Sequence, residues 1–301
     1  MKLGIPRALA YYRYGVLWRT FFDQLHIPYL LSPPTNKEIL AAGTKRAVDE
    51  TCLPYKLFLG HVNALLAQTD TIFVPCLQKT GREDEFCLRF WGLPDTVQAS
   101  FANVNIHSYV QKGGMHQLQG FLALGRTFGK SNTESLIAYR KALNAQAKAD
   151  QAKFQIEREK LASRKPKILL AAQSYLYHDP FLGGEIRRII EQLGGTALSI
   201  DAWSKHYTRP KAQHLSSDIY WTTNREILGA IEVARAQVDG IILLTAFPCG
   251  SDCLANELVL RRVQNLPLIQ ILLDEHQAQE GLITRLESFM DMIHAPNTKV
   301  V

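Results

Sequence analysis

The chain has 301 residues, 34 basic and 28 acidic side chains for a net charge of +6, and 47% hydrophobic residues. That apolar fraction excludes global disorder, and five cysteines are too few for a disulfide scaffold. No apolar run reaches the roughly 18–20 residues of a membrane span; the best, Gly240 to Phe247, is strand-sized.

In chain order, Lys2–Ile5 reads as a short strand, and the early Lys2, Pro6 and Arg7 leave no signal-peptide core. The expectation is a soluble cytoplasmic protein with reduced thiols. Tyr11–Leu25 has the pattern of an aromatic-rich helix, and Tyr29–Leu31 that of a strand stopped by Ser32-Pro33-Pro34. Asn36–Gly43 and the apolar Lys56–Leu66 are helices, and Asp70–Val74 is a strand. From Ser131 to Ser163 there is no Gly or Pro, and Leu136, Tyr139, Leu143, Phe154 and Leu161 give a narrow apolar stripe. This predicts one long connector helix with an N-cap in Asn132-Thr133-Glu134. Beyond Pro166, strands at Lys167–Ala172, Thr196–Ile200, Gly240–Thr245 and Leu268–Leu273 alternate with helices. Those helices are Gly183–Leu193, Asn224–Gln237, Cys253–Val263 and Gly281–Met292. Strand and helix alternating in this way imply βαβ units and parallel sheets. The reading is an α/β protein of two Rossmann-like lobes, residues 1–130 and 166–301, joined by a helix over residues 131–165.

The basic excess is local. Between Tyr139 and Lys167 nine basic residues face three acidic ones, and the remaining 272 residues carry twenty-five of each. A charge excess confined to one helix is a solvated face, or a docking face for an acidic partner, and does not make a nucleic-acid binding surface.

Open α/β sheets bind ligands beyond the carboxyl ends of their strands. Cys76 follows Ile72-Phe73-Val74-Pro75, Cys249 follows Leu243–Pro248, and Asp274, Glu275 and His276 follow Leu268–Leu273. The other thiols are Cys52 in Asp49-Glu50-Thr51-Cys52-Leu53-Pro54 and Cys87 beside Phe86. Structural zinc is a poor match, because only Cys249-x3-Cys253 is a short spacing. Dispersed thiolates from two lobes suit an iron–sulfur cluster held in the cleft between them. Two other readings stand beside it: structural thiols, and a redox pair of Cys249 with Cys253 on one helix turn. Glu50, Thr51, Asp274, Glu275 and His276 are candidates for proton relay or substrate orientation, against the plainer roles of capping and loop hydrogen bonding. His61 reads as a satisfied core or interface histidine, and Trp91 as apolar cover near Cys87. No phosphate-binding glycine loop opens a helix, so any ATP hydrolysis belongs to a partner.

Several segments together carry a family resemblance. They are Lys2-Leu-Gly-Ile-Pro-Arg-Ala-Leu, Ser32-Pro-Pro-Thr-Asn-Lys, Asp49-Glu-Thr-Cys-Leu-Pro, and Phe86-Cys87 with Gly92-Leu-Pro-Asp95. Tyr220-Trp221, Arg225-Glu-Ile-Leu-Gly229, Val238-Asp-Gly240, Phe247-Pro-Cys-Gly-Ser-Asp252 with Asn256-Glu257, and Asp274-Glu-His276 complete the set. The chain resembles the acyl-CoA dehydratase activase-related proteins, a partner domain of 2-hydroxyacyl-CoA dehydratase activases. The resemblance implies lobes facing each other over a 4Fe–4S cluster, with Cys52, Cys87 and Cys249 as thiolate ligands. It also implies low-potential electrons from an ATP-hydrolysing activase, used for reduction or radical dehydration of a small substrate. Cys76 and Cys253 depart from the family pattern, and either is a candidate fourth ligand. Leu88 stands where a proline often follows the cysteine. A double-cubane cluster, found in more distant relatives, needs six thiolates, hence a non-cysteine ligand or a second subunit in a homodimer. A different class of function on the same fold is a non-catalytic interaction module or cluster carrier.

Overall fold

Short apolar runs closed by proline or glycine become strands, and the longer amphipathic stretches between them become helices. The computed structural model describes residues 2–81, 84–113, 116–276 and 279–295. The chain divides into two compact units, residues 1–151 with 220–222, and residues 152–219 with 223–301.

In the first unit, β1 (Leu3–Ile5), α1 (Tyr11–Gln24), β2 (Tyr29–Leu31), α2 (Lys37–Thr44), α3 (Leu53–Leu66) and β3 (Thr71–Phe73) follow one another. Next come β4 (Cys76–Lys79), α4 (Leu88–Trp91), α5 (Leu93–Ser100), β5 (Asn105–His107), β6 (Val110–Lys112) and α6 (His116–Thr127). β2-β1-β3-β5 form a parallel sheet, and β4 pairs with β6 in a second, two-stranded parallel sheet. Pro75, which has no N–H to offer a ladder, separates β3 from β4. Cys76 therefore opens a strand of its own. Residues 220–222 return to this unit: Glu85 N–H donates to the Tyr220 carbonyl at 3.1 Å, and Thr222 N–H donates to the Glu85 carbonyl at 2.8 Å.

The core of this unit is aromatic. Trp18, Phe22 and Tyr109 surround Phe73, Phe121 contacts Phe21, Tyr109 and Tyr139, and Trp18 Nε1 donates to the buried Tyr109 hydroxyl at 3.2 Å. Edge-on ring contacts, such as those of Phe73 with Trp18 and Phe22, add stability beyond the area buried.

The connector is α7 (Asn132–Leu161), as the lack of Gly and Pro predicts. Its cap is Ser131, one residue earlier than the sequence reading. Ser131 Oγ accepts from Glu134 N–H at 3.2 Å, and the Glu134 carboxylate accepts from Ser131 N–H at 2.9 Å, a reciprocal capping box. The buried stripe also differs from the expected one. Ser135, Ala138, Tyr139, Ala142 and Gln146 are buried, whereas Leu143 is exposed. Small side chains allow close approach: a Cβ on Gly125 of α6 would overlap the Ser135 hydroxyl. The Gln146 amide enters the ladder of α1, donating to the Arg13 carbonyl at 3.0 Å and accepting from Leu17 N–H at 2.9 Å.

The second unit holds β7 (Lys167–Ala171), α8 (Ser174–His178), α9 (Glu185–Gln192), β8 (Thr196–Ser199), α10 (Lys205–Thr208) and α11 (Thr222–Ala234). β9 (Gly240–Ala246), α12 (Gly250–Arg262), β10 (Leu268–Leu273) and α13 (Gln279–His294) complete it. The parallel sheet runs β10-β9-β7-β8, and all seven residues of β9 are buried. Mixed α/β architecture with parallel sheets and one long helix is thus what the alternating pattern predicts. Among the described residues, no helix is long and apolar enough to cross a membrane.

The end of α7 is fixed to this sheet by Glu157. Its buried carboxylate accepts from Ser199 N–H at 2.7 Å, Lys160 Nζ at 2.8 Å and the Tyr177 hydroxyl at 3.4 Å. Glu157→Ala leaves the Ser199 donor without its acceptor and is expected to destabilise the protein by about 2–3 kcal/mol. Glu157→Gln, which keeps one acceptor oxygen, is expected to cost less. Urea midpoints of the two variants check the order, and equal losses would refute it.

Candidate functional site

Three of the five cysteines share one backbone position, the residue just before a helix. Cys52 precedes α3 with φ −62° and ψ 144°, Cys87 precedes α4 with −53° and 143°, and Cys249 precedes α12 with −95° and 102°. None of the three side chains caps its helix. A thiol here sits beside the unpaired N–H groups of the first turn, where the helix dipole favours the thiolate. All five cysteines are thiols rather than disulfides.

Cys52, Cys76 and Cys87 belong to the first unit, Cys249 and Cys253 to the second. Tyr55, in the first turn of α3, brings Cys52 and Cys87 into one neighbourhood. Burial raises the pKa of its phenol. The Thr96 hydrogen bond and the Arg89 charge oppose that rise, while Cys52 and Cys87 both add to it. The Arg89 guanidinium lies over the Tyr55 ring, 5.4 Å from its centroid. Phe86 is buried, and Phe90 and Trp91 pack against the aromatic core beside it. Leu88, the residue after Cys87, is 72% exposed.

Cys76 is of another kind. It is buried, its thiol donates to the Trp91 carbonyl at 3.2 Å, and it accepts from Gln78 Nε2 at 3.6 Å. Burial pushes its pKa up. These bonds bind the thiol into the packing of β4 against α4.

In the second unit the sequence reading missed Asp252. This fully buried carboxylate, in the first turn of α12, accepts from Gln173 Nε2 and Asn224 Nδ2, each at 2.7 Å, through one oxygen. The other accepts from the Thr245 hydroxyl at 3.4 Å, and Cys249 also hydrogen-bonds to the carboxylate. Burial raises the Asp252 pKa, and the four hydrogen bonds oppose the rise. Gln173 follows β7 and Thr245 lies near the end of β9, the two central strands of the sheet. Asp252 therefore locks the loop that carries Cys249 onto the carboxyl edge of that sheet. Nothing local marks it, because Asn224 and Gln173 are 28 and 79 residues away.

Cys253, one helical turn after Cys249, is exposed, and its N–H donates to the Cys249 carbonyl at 3.0 Å. Partial burial and the Asp252 charge raise its pKa. The remaining candidates stand in turns. Glu50 is exposed, and Thr51 is buried with its N–H donating to the Val48 carbonyl at 2.9 Å. Asp274 accepts from His276 N–H at 2.8 Å in a side-chain-closed turn after β10, with Glu275 half-buried between them and His276 exposed. Among the described residues, no group of three or more His, Cys, Asp or Glu side chains is placed to hold a metal ion.

Residues 2–202 match the family model described as CoA enzyme activase uncharacterised domain. No curated protein matches the chain. A crystal structure of ZnuA aligns over 97% of this chain and 99% of that one, at 11% identity and a TM-score of 0.27. A likeness that slight carries no argument about fold or ligand.

Proposed function

The chain belongs to the CoA enzyme activase uncharacterised domain family, and from that premise we propose that it is an iron–sulfur protein working with an activase-type partner. The observation that carries the reading is the common placement of Cys52, Cys87 and Cys249 at helix starts. Cysteine thiolates are the ligands of a 4Fe–4S cluster, and N–H groups of a helix first turn can hydrogen-bond its sulfurs. Cys52, Cys87 and Cys249 would hold it, and Cys253, a helical turn from Cys249, is the better candidate for a fourth ligand. Cys76 is already engaged with Trp91 and Gln78. When bound, such a cluster supplies one-electron transfer at low potential.

The chain's own groups have definable parts in this scheme. Asp252 and its amide donors hold the Cys249 loop in place. Phe86, Phe90 and Trp91 keep water from one side of Cys87. Leu88 beside Cys87 and Phe247 before Cys249 are large exposed apolar residues, suited to docking an electron-donating partner that hydrolyses ATP. The reaction served is reduction or dehydration of a small substrate.

Anaerobic reconstitution followed by iron and sulfide analysis and EPR tests the reading. Wild type is expected to bind about four irons per chain. Cys249→Ser is expected to lose most of them, and Cys76→Ser to keep them. Folded wild-type protein without iron after reconstitution would overturn the proposal.

A further inference from the structure

The first unit contains a second polar site, built from residues other than the helix-start thiols. Its sheet order places β1 between β2 and β3, and the connections from β1 and β3 run to opposite sides. That is the switch point at which open parallel sheets receive ligands. Arg7 follows β1 by two residues, and Ser32 and Thr35 follow β2. Ser32 Oγ accepts from Arg7 N–H at 2.8 Å, and Thr35 Oγ1 lies 3.1 Å from His61 Nε2 on α3.

Two nitrogens at this place are buried and have no hydrogen-bond partner: Arg7 Nε and His61 Nδ1. His61 is fully buried. Burial, and then the charge of nearby Arg7, hold its pKa down at about 3, so the imidazole is neutral. Among the described residues no carboxylate forms an ion pair with Arg7. A bound water would satisfy the two nitrogens but would leave the guanidinium charge without a counterion. Arg7 is half-buried, and the Nε that it turns away from solvent calls for an acceptor, one that a negatively charged group supplies most strongly.

We infer that Arg7, with His61 held by Thr35 and Ser32 holding the Arg7 backbone, forms a binding site for the oxyanion of a small molecule, a carboxylate or a phosphoryl group. The guanidinium supplies the charge and directional donors, and the imidazole adds one N–H when Thr35 donates to Nε2. This site is independent of iron binding.

The test is thermal unfolding and titration calorimetry with inorganic phosphate and, separately, with propionate. At tenfold over its dissociation constant, a bound oxyanion is expected to raise the wild-type melting temperature by about 3 °C. Protection by phosphate alone assigns a phosphoryl ligand, protection by propionate alone a carboxylate, and protection by both a general oxyanion site. Arg7→Met is expected to abolish the shift while melting no lower than ligand-free wild type, because it removes an unpaired charge. Arg7→Lys, which keeps the charge but loses the Nε donor, is expected to bind about tenfold more weakly. The proposal fails if neither anion protects wild type, if Arg7→Met is protected equally, or if Arg7→Met melts well below ligand-free wild type.

Discussion

Asp252→Ala is expected to destabilise the protein by roughly 2–5 kcal/mol, at about 1–3 kcal/mol for each buried amide donor left unsatisfied. The substitution strips the acceptor from Gln173 and Asn224 at once, and the donors left behind have no access to water. Asp252→Asn separates this cause from simple loss of volume. The two strong bonds, both at 2.7 Å, converge on a single oxygen. An asparagine carbonyl placed there keeps them both, and its amide turns toward Thr245 and Cys249. The asparagine variant is therefore expected to cost less than half as much as alanine. Urea unfolding of both variants decides the matter, and an asparagine as damaging as alanine would show that the negative charge itself is required.

The second large effect concerns how α3, the helix that begins at Cys52, is seated. α2 crosses α3 at two glycines that touch the opposite backbone. A Cβ on Gly43 would overlap the Lys56 carbonyl, and one on Gly60 would overlap the Ile39 carbonyl. Neither obstacle is the end of a flexible side chain, so the helices themselves must separate. Gly43→Ala and Gly60→Ala are each expected to cost about 3 kcal/mol or more. The double variant should cost less than the sum, because the first substitution already opens the crossing. Denaturant midpoints of the two single variants and the double give the answer. A Gly43→Ala protein as stable as wild type would disprove the close crossing.

The sequence was most legible where one signal was long. Gly240–Ala246, apolar but for Thr245, stands in mid-sheet, and the gap-free stretch from Ser131 onward is one helix. β5 and β6 escaped notice because three residues such as Asn105-Ile106-His107 are too short for a period of two to register. α12 begins at Gly250, three residues before the expected Cys253. Gly250 and Ser251 are weak helix formers, and the contacts that draw the Asp252 carboxylate inward come from distant strand ends. The same limit applies to the candidate site. Motifs marked the cysteines, and turns accounted for Asp274 and His276. The partners of Asp252 and the unmet demand of the buried nitrogens of Arg7 and His61 arise only when distant strand ends meet, and no local pattern encodes that meeting.

The short return of residues 220–222 alters what a fragment of this protein would be. Trp221 bridges to Glu85, and the Thr222 and Thr80 hydroxyls are 2.9 Å apart. The polypeptide thus leaves the first unit within α7, re-enters it for three residues, and leaves again. A gene cut at residue 151 would strip Glu85, two positions from Cys87, of both its backbone partners. A protease nick in the connector would still leave the halves tied through that inserted segment. Topologically, the two units are laced rather than strung, and dissection requires a circularly rearranged or co-expressed design in place of simple truncation.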